Sequence, residues 1–196
     1  MTTRGSDDDA LNRYLDIARL GDQAGFTGLY RTLSGRVAGF LRGRGVDDVD
    51  EVVNDVFLGA FRNLHTFEGD AARFRSWLFG IAYNKAADRH RSTRRRPRTT
   101  ALDTSTNDLV AVEARDLDWS GDDNVSQLLS GLTPDQRDVL LLRIVADLSL
   151  AETAETLDKP AGAIKALQHR ALATLARTIS ERAVSPTDRR TNTESR

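Results

Sequence analysis

Between Asp47 and Leu64 the chain sets a strict condition on its fold. Val49, Val52, Val53, Val56, Phe57, Ala60, Phe61 and Leu64 recur at the period of an α-helix with one apolar face. Valine is a modest helix former, but the period outweighs that local preference. One helix cannot bury such a stripe, so neighbouring segments must supply matching ones. Before it, Phe26, Leu29, Tyr30, Leu33, Val37, Phe40 and Leu41 repeat at helical steps and stop at Gly43-Arg44-Gly45, where glycine favours a helix end. Earlier still, Leu11, Tyr14, Leu15 and Ala18 predict a short helix over 10–20, and the polar residues 1–9 read as disordered. After a loop over 65–72, Phe74, Trp77, Leu78, Ile81, Ala82 and Ala86 form a further stripe. Pro97 closes this first helical domain, residues 10–97, because proline cannot continue the hydrogen-bond ladder.

Residues 98–124 lack a helical period and are rich in Thr, Asp, Ser and Asn, which predicts a flexible acidic linker. Trp119 is its one large ring. A second domain over 125–183 opens with Leu128, Leu129 and Leu132. Thr133-Pro134-Asp135-Gln136 and Ser149-Leu150-Ala151-Glu152 are capping boxes, each marking a helix start. Asp158-Lys159 is a turn, and Pro160 or Ala161 opens a last helix with Ile164, Leu167, Ala171, Leu172, Leu175 and Ile179 expected inward. A short helix, a tight turn and a longer helix have the spacing of a helix-turn-helix. Lys165, Gln168, His169 and Arg170 would then face the major groove of a duplex. An ordinary helical hairpin is the competing reading. The tail from Val184 is polar and read as disordered. The fold class is all-α: two small helical domains joined by a flexible acidic linker.

Charge is strongly segregated behind a net value of −1. Asp47–Asp55 and Asp103–Asp123 are acidic, while Arg73–Arg98 carries nine basic residues against the single acid Asp88. A near-neutral total therefore does not argue against a polyanionic partner, since local potential governs the encounter. Within the basic stretch, Phe79, Tyr83 and Asn84 add flat rings and an amide, the groups that hold a separated nucleic-acid strand. The alternative is a core helix with a solvated basic tail. Acids in a first helical turn are accounted for by the helix dipole, but Asp55 lies too far along and calls for a basic partner. The chain has no cysteine, which excludes disulfides, cysteine zinc sites and thiol redox chemistry within it and fits the cytoplasm. No stretch has the length and apolarity of a membrane span or a signal core, so membrane insertion is not expected. His65, His90 and His169 are too scattered to suggest a zinc site. Asp47, Asp48, Glu51 and Asp55 could hold Mg²⁺ for a nuclease, but they share one helix face and no second carboxylate set accompanies them. No catalytic residue, metal site or cofactor is therefore nominated, and the chain is expected not to be an enzyme.

Three blocks resemble the bacterial RNA polymerase sigma factors, in particular the extracytoplasmic-function (ECF) group. Asp48–Leu58 (DVDEVVNDVFL) resembles the family's D-A-E-D-L-V-Q-E-V-F-L helix. Phe74–Arg91, with Trp77-Leu78, Ile81-Ala82, Asn84, Asp88 and Arg91, resembles F-x-x-W-L-x-x-I-A-x-N-x-x-x-D-x-x-R. Leu132–Arg177 resembles L-x-P-x-x-R-x-V-L-x-L-R followed by the two helices of the helix-turn-helix. The blocks stand in family order and span residues 10–180.

The resemblance implies a function: directing core polymerase to specific promoters by −35 binding and −10 strand capture. It implies that 10–97 is a region 2-like domain and 125–183 a region 4-like domain. Asp48, Asp50, Glu51, Asn54 and Asp55 would dock on the clamp helices of the largest polymerase subunit. Phe67, Arg75, Asn84, Lys85, Asp88, Arg89 and Arg91 would serve the −10 strand, and Trp77 would belong to the core. Lys165, Gln168, His169 and Arg170 would serve the −35 element. The implied partners are core polymerase, at the clamp helices and the flap region, promoter DNA and an anti-sigma factor. The linker would thread the polymerase interior. There are departures: Asp158 stands where Gly is frequent in the turn, and Ala163, Ala166 and Leu167 stand where Thr, Ser and Arg are frequent. A stand-alone helix-turn-helix regulator is the alternative, but it leaves the acidic helix and residues 74–98 without a role.

Overall fold

The computed structural model describes residues 3–95 and 123–184, and every regular element among them is helical. The first half comprises α1 (Thr3–Arg19), α2 (Gln23–Gly43), α3 (Val49–Arg62) and α4 (Ala71–Arg95), with a 3₁₀ turn at Leu64–Thr66. The second comprises α5 (Asp123–Ser130), α6 (Pro134–Leu140), α7 (Leu150–Leu157) and α8 (Ala161–Val184). The π-helical turn Leu141–Val145 extends α6 and was not expected. The region 98–124 read as linker lies outside the described residues up to 122, Trp119 included; its last two residues begin α5. Most of the polar tail lies outside them too.

The stripe of α3 turns inward as its period requires. Val52, Val53, Val56, Phe57 and Ala60 are buried against Leu29, Leu33, Val37, Phe40 and Leu41 of α2 and Phe74, Leu78, Ala82 and Ala86 of α4. Gly25 and Gly28 let α2 approach α1 closely: a Cβ at either position would lie 2.3 Å from Ala18 backbone or the Tyr14 ring. The N-terminus departs from expectation, because α1 begins at Thr3 and residues 3–9 are helical. Asp7 pairs with Arg36 at 3.2 Å and Asp8 with Arg75. Those partners lie 29 and 67 residues away, so a polar run read by itself conceals the anchor.

In the second half both capping boxes form. Gln136 N–H donates to Thr133 Oγ1 at 3.3 Å while the Thr133 N–H donates to Gln136 Oε1 at 3.0 Å. Ser149 and Glu152 repeat the exchange at the start of α7. Asp158 ends α7 with φ 49° and ψ 50°, the left-handed conformation that aspartate tolerates better than most residues. On α8, Ile164 and Ala171 are buried and Leu167 and Leu175 partly so, but Leu172 and Ile179 are exposed. The inward face follows 164, 167, 171 and 175. Leu172 falls one step off it, whereas Ile179 continues the 171 and 175 series yet is 53% exposed.

The two halves share a continuous core. Val139, Leu141, Leu142, Val145, Ala146 and Leu148 join the cluster built by α1–α4, leaving only a small satellite around Leu132, Leu140 and Ala171. Among the described residues, ion pairs cross the junction from Arg44 to Asp138 at 3.3 Å and from Arg75 to Asp147 at 3.6 Å.

Candidate nucleic-acid interface

Asp70 starts α4 by accepting the Arg73 N–H at 2.9 Å, an N-cap that satisfies an otherwise free donor. Asn12 of α1 accepts the Ala71 N–H at 2.7 Å, and Arg19 donates to the Gly69 carbonyl at 2.6 Å. The loop carrying Phe67 is thus braced from α1. Phe67 stacks on Trp77 with ring centroids 5.1 Å apart and meets Phe74 edge-on at 5.5 Å. The Arg19 guanidinium lies 5.9 Å from the Phe67 ring centre.

Beside this stack runs an open groove of about 900 Å³. Thr66, Phe67, Arg73, Trp77, Ile81 and Asn84 line one side, and Glu152, Glu155 and Thr156 of α7 line the other. Helical phase places Trp77, Ile81, Asn84, Asp88 and Arg91 along one face of α4. Apolar rings and an exposed amide suit stacking and hydrogen bonding of unpaired bases; among the lining residues the basic Arg73 stands with the acids Glu68, Asp70, Glu152 and Glu155.

The structure separates the residues nominated for the −10 strand. Phe67 and Asn84 line the groove, and Asp88 and Arg91 are exposed beyond it, 2.5 Å from each other. Lys85 and Arg89 turn instead toward α3. Lys85 pairs with Asp55 at 3.3 Å, and Arg89 with Glu51 at 2.6 Å and Asp48 at 3.7 Å. Arg75 is a correction: it is 1% exposed and held between Asp8 and Asp147, so it is a buried ion-pair centre and not a strand contact here. Phe79, read as a ring in the charged half, is fully buried against Phe40 at 5.6 Å. Tyr83 is covered by the Arg44 guanidinium, 4.2 Å from its ring centre. Trp77, assigned to the core, is half-buried and forms part of the groove wall. Arg73 and Trp77 are thus groove residues that the sequence did not nominate. Their spacing from Asn84, eleven and seven residues, places both on its helix face and is the signal for them.

On α3, Asp48, Asp50, Glu51, Asn54 and Asp55 are all exposed on one face. The Tyr30 hydroxyl donates to Asn54 Oδ1 at 3.3 Å. Burial and the Asp50 carboxylate raise the Tyr30 pKa. On α8, Lys165, His169 and Arg170 are exposed. Gln168 is half-buried and accepts from Arg143 Nε at 3.4 Å, so it faces the π-helical turn more than a duplex.

Two family models match the two halves: sigma-70 region 2 over residues 28–96 and sigma-70 region 4 over residues 128–177. The chain is 32% identical to the ECF RNA polymerase sigma factor BldN of Streptomyces coelicolor over 187 residues, 90% of this chain and 68% of that one. It is 30% identical to the ECF RNA polymerase sigma-E factor of Haemophilus influenzae over 162 residues, 77% of this chain and 85% of that one. Among solved structures it is similar to CnrH in complex with the cytosolic domain of CnrY, with TM-score 0.63 and 27% identity, covering 88% of this chain and 99% of that one. The fold also matches RpoE of Bartonella quintana, solved with the anti-sigma factor NepR, with TM-score 0.60 and 19% identity over 84% of this chain and 98% of that one. The groove beside α4 and the helix-turn-helix therefore belong to an RNA polymerase sigma factor, a DNA-binding factor of transcription initiation. Within that class the chain belongs to the ECF sigma factor family.

Proposed function

We propose that this sigma factor captures the separated −10 strand in the groove beside α4 and reads the −35 element with α8. It docks on core polymerase through the acidic face of α3. One observation carries the first assignment: the Phe67–Trp77 stack opens onto the same groove as Asn84. A flipped base loses its stacking and pairing, worth a few kcal/mol, and aromatic surface with an amide offsets that loss. Phe67 and Trp77 supply the surface, Asn84 the base-edge hydrogen bonds, and Arg73 and Arg91 the phosphate contacts. Asp88 holds Arg91 in place. Lys85 and Arg89 are second in rank, since α3 engages them.

Lys165, His169 and Arg170 are the residues proposed for the −35 duplex, with Gln168 in a supporting place. Asp48, Asp50, Glu51, Asn54 and Asp55 are proposed to meet the clamp helices, and the 125–183 unit to meet the flap region. The factor has no catalytic activity in this reading; nucleotide polymerisation belongs to its partner. A cytoplasmic location accords with that role, and among the described residues no helix is long and apolar enough to cross a membrane. An anti-sigma factor is part of the proposal, supported by the family resemblance and by the similar CnrH, solved with the cytosolic domain of CnrY bound. The test is transcription in vitro: core polymerase with this chain should yield a specific transcript whose mapped 5′ end defines the promoter. Absence of any specific transcript from the chain's own genomic templates would reject the assignment.

A further inference from the structure

Lys85 and Arg89 lie one turn apart on α4, and each meets α3 in step with the other. Lys85 pairs with Asp55 at 3.3 Å. One turn further along α4 and one turn back along α3, Arg89 pairs with Glu51 at 2.6 Å. Arg89 also reaches Asp48 at 3.7 Å. Asp48 stands at the N-cap of α3, but its side chain makes no cap hydrogen bond and extends to Arg89 instead. The two helices thus run in opposite directions with opposite charges matched at each turn. On the other edge of the same face, the Tyr30 hydroxyl of α2 donates to Asn54 Oδ1 at 3.3 Å. The Tyr30 ring is itself set against Phe57, with 4.7 Å between ring centres.

These ion pairs add little to the stability of the fold, since their side chains are 35–66% exposed and such pairs are weak in water. What they order is the acids. Asp48, Glu51 and Asp55 follow one another at helical turns, and like charges at that spacing repel. Side chains left free must also be ordered when a partner binds, which costs affinity. Cations on the neighbouring helix reduce both costs in advance.

We propose that Lys85 and Arg89 are positioning residues for the polymerase-docking face: from α4 they hold the carboxylates of Asp55, Glu51 and Asp48 in the array that a basic partner surface meets. This rests on the docking reading of α3. Charge alone predicts the opposite effect, because removing a cation leaves the face more acidic and more attractive to a basic partner. The sign of the change therefore separates holding from charge balance.

The test is a double-mutant cycle on the affinity of the full-length chain for core polymerase, read by fluorescence titration with Lys85→Ala, Asp55→Ala and the two combined. Lys85→Ala should weaken binding about threefold, and Asp55→Ala should weaken it more. The combined chain should bind no worse than Asp55→Ala, because Lys85 acts only through that carboxylate. Arg89→Ala should repeat the pattern against a chain carrying Asp48→Ala and Glu51→Ala together. Where Asp55→Ala weakens binding, two results overturn the proposal and leave docking by α3 standing: unchanged or tighter binding when either cation is removed, or losses that multiply when cation and acid are removed together. If Asp55→Ala leaves the affinity unchanged, the docking reading has failed and the proposal falls with it.

Discussion

On α4, Lys85 and Arg89 are turned toward Asp55, Asp48 and Glu51 of the neighbouring helix, whereas on α8 Lys165, His169 and Arg170 are exposed. The first surface is charge-compensated within its own domain and borders a groove walled by the Phe67 and Trp77 rings. The second is an open basic face, suited to phosphates and base edges of an intact duplex. Under the proposed function, the difference separates two tasks that a count of basic residues would merge. A separated strand needs stacking walls more than net charge, while a duplex is approached chiefly through its phosphates.

The largest expected effect concerns the core that the two halves share. Phe74→Ala should destabilise the chain by about 3–5 kcal/mol and Leu142→Ala by about 2–5 kcal/mol, since both side chains are fully buried. Urea unfolding should show both changes lowering one cooperative transition. Two separate transitions would mean that the halves fold independently. Next comes the docking face. Asp55→Arg sets a like charge against a basic partner, a cost of several kcal/mol in binding to core polymerase, with the fold retained by circular dichroism. Affinity unchanged in a pull-down titration would remove Asp55 from the docking face.

Arg170→Ala should weaken holoenzyme affinity for the cognate −35 duplex by about 1–3 kcal/mol if it reads a base, and Gln168→Ala by less, given its half-buried place beside Arg143. The reverse order in a binding titration would invert the picture of α8. The smallest effect is a pH dependence at the junction. Burial raises the Asp138 carboxyl above its ordinary value, and Arg44 offsets that only partly. An acid that holds its proton more tightly when folded adds stability in acid, and that contribution is lost as pH climbs through its folded value. Asp138→Asn should flatten this part of the stability curve in urea titrations run from about pH 4 to pH 7.

Local chemistry made much of this molecule legible in the sequence. The α3 stripe, the capping boxes at Thr133 and Ser149 and the turn at Asp158 each depend on residues within a few positions of one another. What escaped depends on distant partners. Asp7 and Asp8 extend α1 to Thr3 through Arg36 and Arg75. Arg75 looked like surface charge because nothing near it in sequence marks its burial. Lys85 and Arg89 differ from Asn84 by helical phase relative to α3, a distinction that a basic run does not reveal until its neighbour is placed. The seating of the second half on Gly39 and Gly43 is likewise a property of the assembled chain.

Capture of the separated strand by the groove beside α4, as proposed, is tested by open-complex formation. Core polymerase loaded with the parent chain, on a promoter defined by 5′-end mapping, should make the −10 thymines reactive to permanganate. With the exposed Asn84 and the half-buried Phe67 both changed to alanine, the holoenzyme should assemble and bind the −35 element but leave those thymines protected. Full permanganate reactivity with the doubly substituted chain would mean that the groove beside α4 does not capture the strand.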